Sequence, residues 1–406
     1  MRILKIIPQA FYSNRGTPLS AYHRASDLIA LGHEVDILTY AVGGDPPSLA
    51  ARVYRARGPH FSRSIPAGPS RLKIWFDILL FVNLLGRLRR DRYDLLYAHE
   101  EGALLARCAG ALFGIPYVYD MHSSLPLQIT DWKFSKSRLV IAAFRWAEKM
   151  SVRGACAVVA ISPAVARAAQ RVCSGVRCVT IVNQLEIAEP PTPDQIAEVR
   201  TRHRITPEQK IVLYTGSFVA LQALDLLLDA VPTVVAAVPE VVFLLVGGSE
   251  PEIALLRVQA QRLGISDRVI LEKSRPQTTI PAYLAAADVL VSPRTQGINP
   301  PGKLMPYLAS GRVVVATNTL VHNQILTEDC AILTSPDAQG LANGLIVALT
   351  DRAKADEIAA EAVKLSRQYC NKTTRDAAYT EVLAAAEAAK TDRNTDGVLQ
   401  RRRRRA

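Results

Sequence analysis

Apolar residues in this chain come in short runs, separated by longer stretches with helical spacing. Residues 3–7 form a compact β-branched run that gives way to the polar loop QAFYSNRGT. Thr17 followed by Pro18 predicts a helix start, with Thr as N-cap and Pro at the first helical position. That helix is expected to run to Leu31 and end at Gly32, and HEVDILTY supplies the next strand. Strand-like runs recur at 93–99, 115–122, 157–162 and 177–183, with helical stretches between them. Such alternation specifies parallel βαβ units.

The pattern breaks at EPPTPD, residues 189–194, which places a linker at 188–208 between a domain at 1–187 and a second at 209–370. The second set of units starts with KIVLYTGS at 210–217 and continues through VVFLLVGG, DRVILEK and ADVLVSP. From Asp288 to Thr317 the chain reads as strand, Gly- and Pro-rich loop, short helix and strand. Loops of this kind lie beyond the carboxyl ends of parallel strands, where doubly wound folds bind nucleotides. Arg294 and Lys303 sit on the loop and Pro301-Gly302 precede the helix, so two cations and a helix N-terminus would converge on an anion. An ordinary βα loop with solvated charges is the alternative. Later helices are expected near 341, 352–368 and 373–390, the last (371–390) packing back on the first domain. Residues 391–406 read as a disordered basic tail.

Residues 71–92, RLKIWFDILLFVNLLGRLRRDR, are nearly continuously apolar with basic ends. A helix packed on the sheet is one reading. A helix whose Trp75 and Phe76 dip into an anionic membrane surface is the other.

At 406 residues, 49% hydrophobic and 21% charged, the chain is globular and long enough for two cores. The formal charge is +12, of which Arg401 to Arg405 carry five, leaving roughly +7 for the folded part. This bias suits anionic substrates or acidic lipid, and no nucleic-acid motif accompanies it. Six cysteines lie mostly in apolar segments without metal spacing, so no metal site and a cytoplasmic setting with reduced thiols are expected. The N-terminus lacks a signal-peptide h-region, and no run reaches the length of a membrane span. A lone Gly16 without GxGxxG is by itself a weak phosphate signal.

YTGS followed by ALDLLLDA, LVGG, ADVLVSPR and above all KLMPYLASGRVVVAT resemble the retaining glycosyltransferases of family 4, over roughly residues 1–385. The resemblance implies a GT-B fold, α/β, two tandem Rossmann-like domains with a deep interdomain cleft. It implies a metal-independent enzyme without cofactor, moving a sugar with retention from a nucleotide-diphosphate sugar to a glycan or lipid-linked acceptor at the cytoplasmic membrane face. By the same resemblance His122 matches a cleft histidine near the transferred sugar, and Gly16 and Thr17 match the first loop beside the donor phosphates. Lys303 matches a lysine of the donor site, with Arg294, Gly216, Ser217, Arg275, Asn299, Gly302 and Leu304 around it. His99 and Glu100 fall on the acceptor side.

The sequence departs from that pattern where chemistry is concentrated. Ile298 and Pro306 stand where the family has two glutamates, and Gly216-Ser217 and Gln222-Ala223 stand where many members have Gly-Arg and Lys-Gly. Arg294, Lys303 and Arg275 are the substitute cations, and Ala223 is expected on helical backbone. These losses motivate a second hypothesis, a catalytically silent GT-B protein acting as a glycan-binding or accessory subunit. A third is a sugar-nucleotide epimerase on the same fold.

Overall fold

A computed structural model of the chain describes residues 1–12, 16–46, 49–58, 70–126, 137–182, 190–297 and 299–403. It divides into two compact units, Met1–Asn183 with Lys372–Ala406, and Gln184–Asn371.

The first unit is built on seven parallel strands: β1 (Arg2–Ile7), β2 (Glu34–Thr39), β3 (Arg52–Arg55), β4 (Leu95–His99), β5 (Tyr117–Met121), β6 (Ala157–Ala160) and β7 (Cys178–Thr180). Their spatial order is β3-β2-β1-β4-β5-β6-β7, so the direction of winding reverses between β1 and β4. That reversal opens a crevice at the carboxyl ends of the two strands. Alternation along β1 sends Leu4 and Ile6 into one buried cluster and Ile3 and Ile7 into the other, because successive side chains face opposite sides of a sheet. Strand β3 escapes the sequence pattern because RVYR is a short edge strand with arginine at both ends.

The first helix spans Gly16–Ala30, so it begins before the Thr17 cap expected from sequence. Pro18 is tolerated there because the first turn needs no donated N–H. Gly32, with φ +85, follows that helix in the conformation glycine adopts readily. The apolar helix Arg71–Arg90 is capped by Ser70 and buries Phe76, Leu80, Leu84 and Leu88, one stripe at four-residue spacing. Its opposite face leaves Ile74, Trp75, Ile78 and Val82 exposed. Trp75 is thus on the exposed stripe, while Phe76 belongs to the core.

The last helix, Lys372–Arg403, belongs to this unit: Tyr379, Val382, Leu383 and Ala386 are buried with Ile3, Ile7 and Ile37. It continues through 391–403, where a disordered tail was expected, and no proline interrupts that stretch. Residues 404–406 lie outside the described residues.

The second unit has six parallel strands: β8 (Lys210–Thr215), β9 (Val241–Gly248), β10 (Val269–Lys273), β11 (Val289–Ser292), β12 (Val313–Thr317) and β13 (Ile332–Thr334), in the order β10-β9-β8-β11-β12-β13. Here the reversal falls between β8 and β11. The stretch read as linker carries a helix instead, Pro193–His203, belonging to this unit. Thr192 caps it, Gln195 completes a capping box and Pro193 fills the first turn, so Pro-rich composition here marks a helix start.

Candidate functional site

In each unit the functional side chains gather where the strand order reverses. Consider the second unit first. Helix Leu304–Ala309 is tied to the end of β8 by Tyr307, whose buried hydroxyl oxygen accepts from the Thr215 backbone N–H at 2.7 Å. This tether sets Lys303 over β8. Its ammonium donates to Gln222 Oε1 at 3.0 Å and stands 3.6 Å from the centroid of the Tyr214 ring. Gly216 makes room: its φ is +135, and a Cβ there would lie 3.0 Å from Lys303 Nζ and 3.2 Å from Cε. Loss of hydration, with the Arg294 guanidinium nearby, pushes the half-buried ammonium well below the usual lysine range. An incoming anion would relieve both effects.

Arg294 is buried and turned onto its own loop, donating from Nε to the Gln296 carbonyl at 2.8 Å and from Nη1 to the Asn299 carbonyl at 3.2 Å. Gly297, at φ +100, is needed beside it, since a Cβ would lie 2.2 Å from Nη2. The loop's other end is pinned by Thr317, whose hydroxyl donates to the Arg294 carbonyl at 2.6 Å. His322 completes the support: Nδ1 donates to the Thr317 carbonyl at 2.8 Å, so Nε2, 2.9 Å from Ser292 Oγ, accepts. Burial, opposed by the bond to Thr317, lowers its pKa to about 4, and the charges of Arg294 and Lys303 act in the same direction. The side-chain oxygen of Asn299 is buried and has no hydrogen-bond partner among the described residues.

Other sequence expectations in this unit come out differently. Arg275 forms a close ion pair with Glu272, which also receives the Tyr283 hydroxyl at 2.8 Å and lies 3.0 Å from His203 Nε2. These donors, working against burial, hold the Glu272 carboxyl near 2. Arg275 is therefore committed to a structural pair in the described structure. Leu304 is fully buried and its N–H donates to the Pro301 carbonyl, so its side chain serves the core. The helix it opens has only six residues, with Pro306 third, and Gly302 is exposed in the turn before it. Cationic side chains, more than a helix dipole, give this loop its anion chemistry. Ser217 contributes its carbonyl, which accepts from Tyr214 at 2.8 Å. Ala223 is not helical as expected but left-handed, at φ 52 and ψ 45. Ile298 lies outside the described residues.

In the first unit, strand alternation puts Lys5, His99 and Asp120 on the face that carries Ile3, Leu95, Tyr97 and Val118. His99 pairs directly with Asp120 in register, and His122 follows just past β5. The rings of His99 and His122 lie 4.2 Å apart, both buried. Around Asp120 stand Arg24 Nε at 2.9 Å, His99 Nδ1 at 3.2 Å, His122 Nε2 at 3.3 Å and Lys5 Nζ at 3.5 Å. His99, Asp120 and His122 are close enough to form a candidate cation trio. Arg24 and Lys5 already neutralise that carboxylate, however, and a dication beside them would meet strong repulsion, so the residues fit an internal ion-pair cluster better than a metal centre.

Glu100 is buried at φ 47 and accepts from Ser123 Oγ at 3.2 Å. Burial, with Glu101 adding, raises its pKa well above the ordinary carboxylate range. Beside it Glu101 pairs closely with Lys73, and Asp77 accepts from the Tyr40 hydroxyl at 2.5 Å. Gly16 and Thr17 open the first helix, and the loop residues 13–15 before them lie outside the described residues. Sequence reasoning missed Lys5, Arg24, Asp120, Tyr307 and His322. The signal for two of them was present: Lys5 and Asp120 interrupt otherwise apolar strands, and a charge buried in a parallel sheet requires a partner.

Two tandem doubly wound units, each with polar side chains at its reversal point, define a GT-B fold of the nucleotide-sugar transferase class. The family description Glycosyl transferase 4-like domain matches residues 15–183, and Glycosyl transferases group 1 matches residues 209–351. The chain belongs to the GT-B glycosyltransferases. It is 26% identical over 357 residues to the phosphatidyl-myo-inositol mannosyltransferase of Mycobacterium tuberculosis, covering 86% of this chain and 88% of that one. Over 108 residues it is 32% identical to the GDP-mannose-dependent alpha-(1-6)-phosphatidylinositol monomannoside mannosyltransferase of Mycolicibacterium smegmatis, a match covering 26% of this chain and only 28% of that relative. Among solved structures it resembles Anabaena Alr3699/HepE in complex with UDP-glucose, at TM-score 0.74 and 21% identity, covering 95% of this chain and 100% of the other.

Proposed function

We propose that the chain transfers a hexose, with retention and without a metal, from a nucleoside-diphosphate sugar to an inositol-containing, lipid-linked acceptor. The observation that carries this reading is Lys303, held over Gly216 by Gln222 and Tyr214 at the point where the second unit's strand order reverses. Departure of a nucleoside diphosphate builds negative charge on a phosphate oxygen. A preorganised ammonium there lowers the barrier by about 3 kcal/mol. Arg294 supports the same loop and adds positive potential. The acceptor class follows the two relatives that act on phosphatidylinositol compounds.

The first unit supplies a surface for such an acceptor. Exposed Ile74, Trp75, Ile78 and Val82 line one helix, and exposed Leu139 and Trp146 lie on helix Arg138–Gly154 among Arg145, Lys149 and Arg153. Apolar side chains framed by cations suit the interface of an anionic bilayer, and on this reading the protein is peripheral at the cytoplasmic face. No helix among the described residues is long and apolar enough to cross a membrane.

The test is transfer of radiolabelled sugar from GDP-mannose or UDP-glucose to phosphatidylinositol in anionic vesicles, with and without EDTA. Product with the anomeric configuration of the donor, formed equally in EDTA, is expected. Absence of transfer together with absence of nucleotide-induced thermal stabilisation would overturn the reading.

A further inference from the structure

Asp120 lies within 3.5 Å of four basic side chains in the first unit, among them the histidine two residues later. Its carboxylate is fully buried, yet two cations flank it: Arg24, which is 3% exposed and also donates to the Ile181 carbonyl at 2.8 Å, and Lys5, fully buried on β1. These cations, opposing burial, keep Asp120 ionised, with its pKa well below the usual carboxylate range. An ionised carboxylate offers acceptors only. A ring nitrogen 3.3 Å from it is stable there only when it carries a hydrogen, because two lone pairs would repel. His122 presents Nε2 to Oδ1, and His99 presents Nδ1 to Oδ2.

Burial lowers both rings against the opposing pull of Asp120, His99 to about 3 with His122 and Lys5 adding to the effect, and His122 with Arg24 and Lys5 adding. A neutral imidazole has one N–H. An N–H on His122 Nε2 faces Asp120 Oδ1 across 3.3 Å without hydrogen-bond alignment, whereas His99 Nδ1 is hydrogen-bonded to Oδ2 at 3.2 Å; the other nitrogen of each ring is then a bare acceptor.

We propose that Asp120 is the positioning residue of His122: it fixes the ring as the Nε2–H tautomer, leaving Nδ1 as a hydrogen-bond acceptor for a substrate hydroxyl. Lys5 and Arg24 make this possible by holding the carboxylate ionised inside the core. The catalytic value of the tautomer rests on the glycosyl-transfer reading, whereas the tautomer itself does not. Nothing covalent changes in Asp120 during turnover; its part is orientation.

The experiment uses the full chain with 15N-labelled histidine imidazoles, recording two- and three-bond 1H–15N correlations near neutral pH and identifying His122 from the signals lost in His122→Gln. The expected spectrum shows a protonated Nε2 and an unprotonated Nδ1 for His122. A protonated Nδ1, or a doubly protonated ring, would overturn the proposal whether or not the protein transfers sugar. In Asp120→Asn an amide N–H2 faces one of the two rings, so inversion of the His99 or His122 tautomer is expected. A roughly 100-fold fall in kcat, with KM for the nucleotide sugar within about threefold, is expected alongside it. Unchanged tautomers of both rings, or an unchanged kcat, would overturn the positioning role. Should that variant fail to fold, the tautomer of the unaltered protein decides the question alone.

Discussion

The ammonium of Lys303 meets the side-chain oxygen of Gln222 at 3.0 Å. One residue lies just before the helix after β11, the other in the turn after β8, so the contact closes a loop pair across the reversal point of the sheet. A neutral acceptor at Gln222 leaves Lys303 as the cation of the pair, and the glutamine orients it.

Removing that cation is the most direct test of the donor site. Lys303→Ala is expected to lower kcat by about 100- to 1000-fold while thermal stability stays close to that of the parent protein. Arg294→Ala is expected to behave differently, losing stability as well, because its guanidinium holds the carbonyls of Gln296 and Asn299. Steady-state rates paired with melting curves separate the two, and equal rates for Lys303→Ala and parent would remove Lys303 from the mechanism.

Ala223 offers a stability test that leaves charge untouched. Its left-handed backbone, φ 52, costs a residue with a Cβ roughly 1 kcal/mol relative to glycine. Ala223→Gly should therefore raise the urea midpoint, by an amount equivalent to about 1 kcal/mol. A lowered midpoint would mean that the turn relaxes away from this conformation.

Acid should loosen the second unit through His322. The folded group titrates at about 4 against 6.5 for the unfolded chain, so the unfolded state binds more protons between those values. Its contribution is fully present above pH 6.5 and is lost as pH falls towards 4. The loss is on the order of 3 kcal/mol. His99, lowered to about 3, acts in the same direction in the first unit. Urea titrations at a series of pH values should show stability falling across this window, with a shallower fall in His322→Gln. Equal slopes for variant and parent would exclude His322 as the source.

The last helix is expected to be integral to the first unit. Tyr379 is fully buried, and its hydroxyl donates to Asp27 at 3.0 Å, with Arg375 3.4 Å from the other carboxylate oxygen. Tyr379→Phe should cost about 1 kcal/mol for the lost hydrogen bond, and Tyr379→Ala about 4 kcal/mol once the cavity is added. Chemical denaturation of both variants checks the order. Near-parent stability in Tyr379→Ala would show that the helix is dispensable.

Much of the architecture was written in the chain. Apolar runs of strand length, alternating with helical periods, specified two sets of parallel βαβ units, and motif order specified their kind. Where the reading failed, a local signal had two meanings. Thr192-Pro193 resembled a linker because proline is common in both linkers and first helical turns. RVYR concealed β3, because an edge strand needs no continuous apolar run.

The sequence alone determined that Lys303, Arg294 and His122 stand after strand ends, since order along the chain and strand period decide that. Only the tertiary structure decided what each group does there. Arg275 is spent on Glu272, Arg294 is turned onto its own loop, and Lys303 is presented beside Gln222. Asp120 gathers Lys5, Arg24 and His99 from three separate segments to the strand that leads into His122. Ionisation, tautomer and partner choice depend on burial and on neighbours within a few ångströms, and folding brings those neighbours from positions that no local pattern connects.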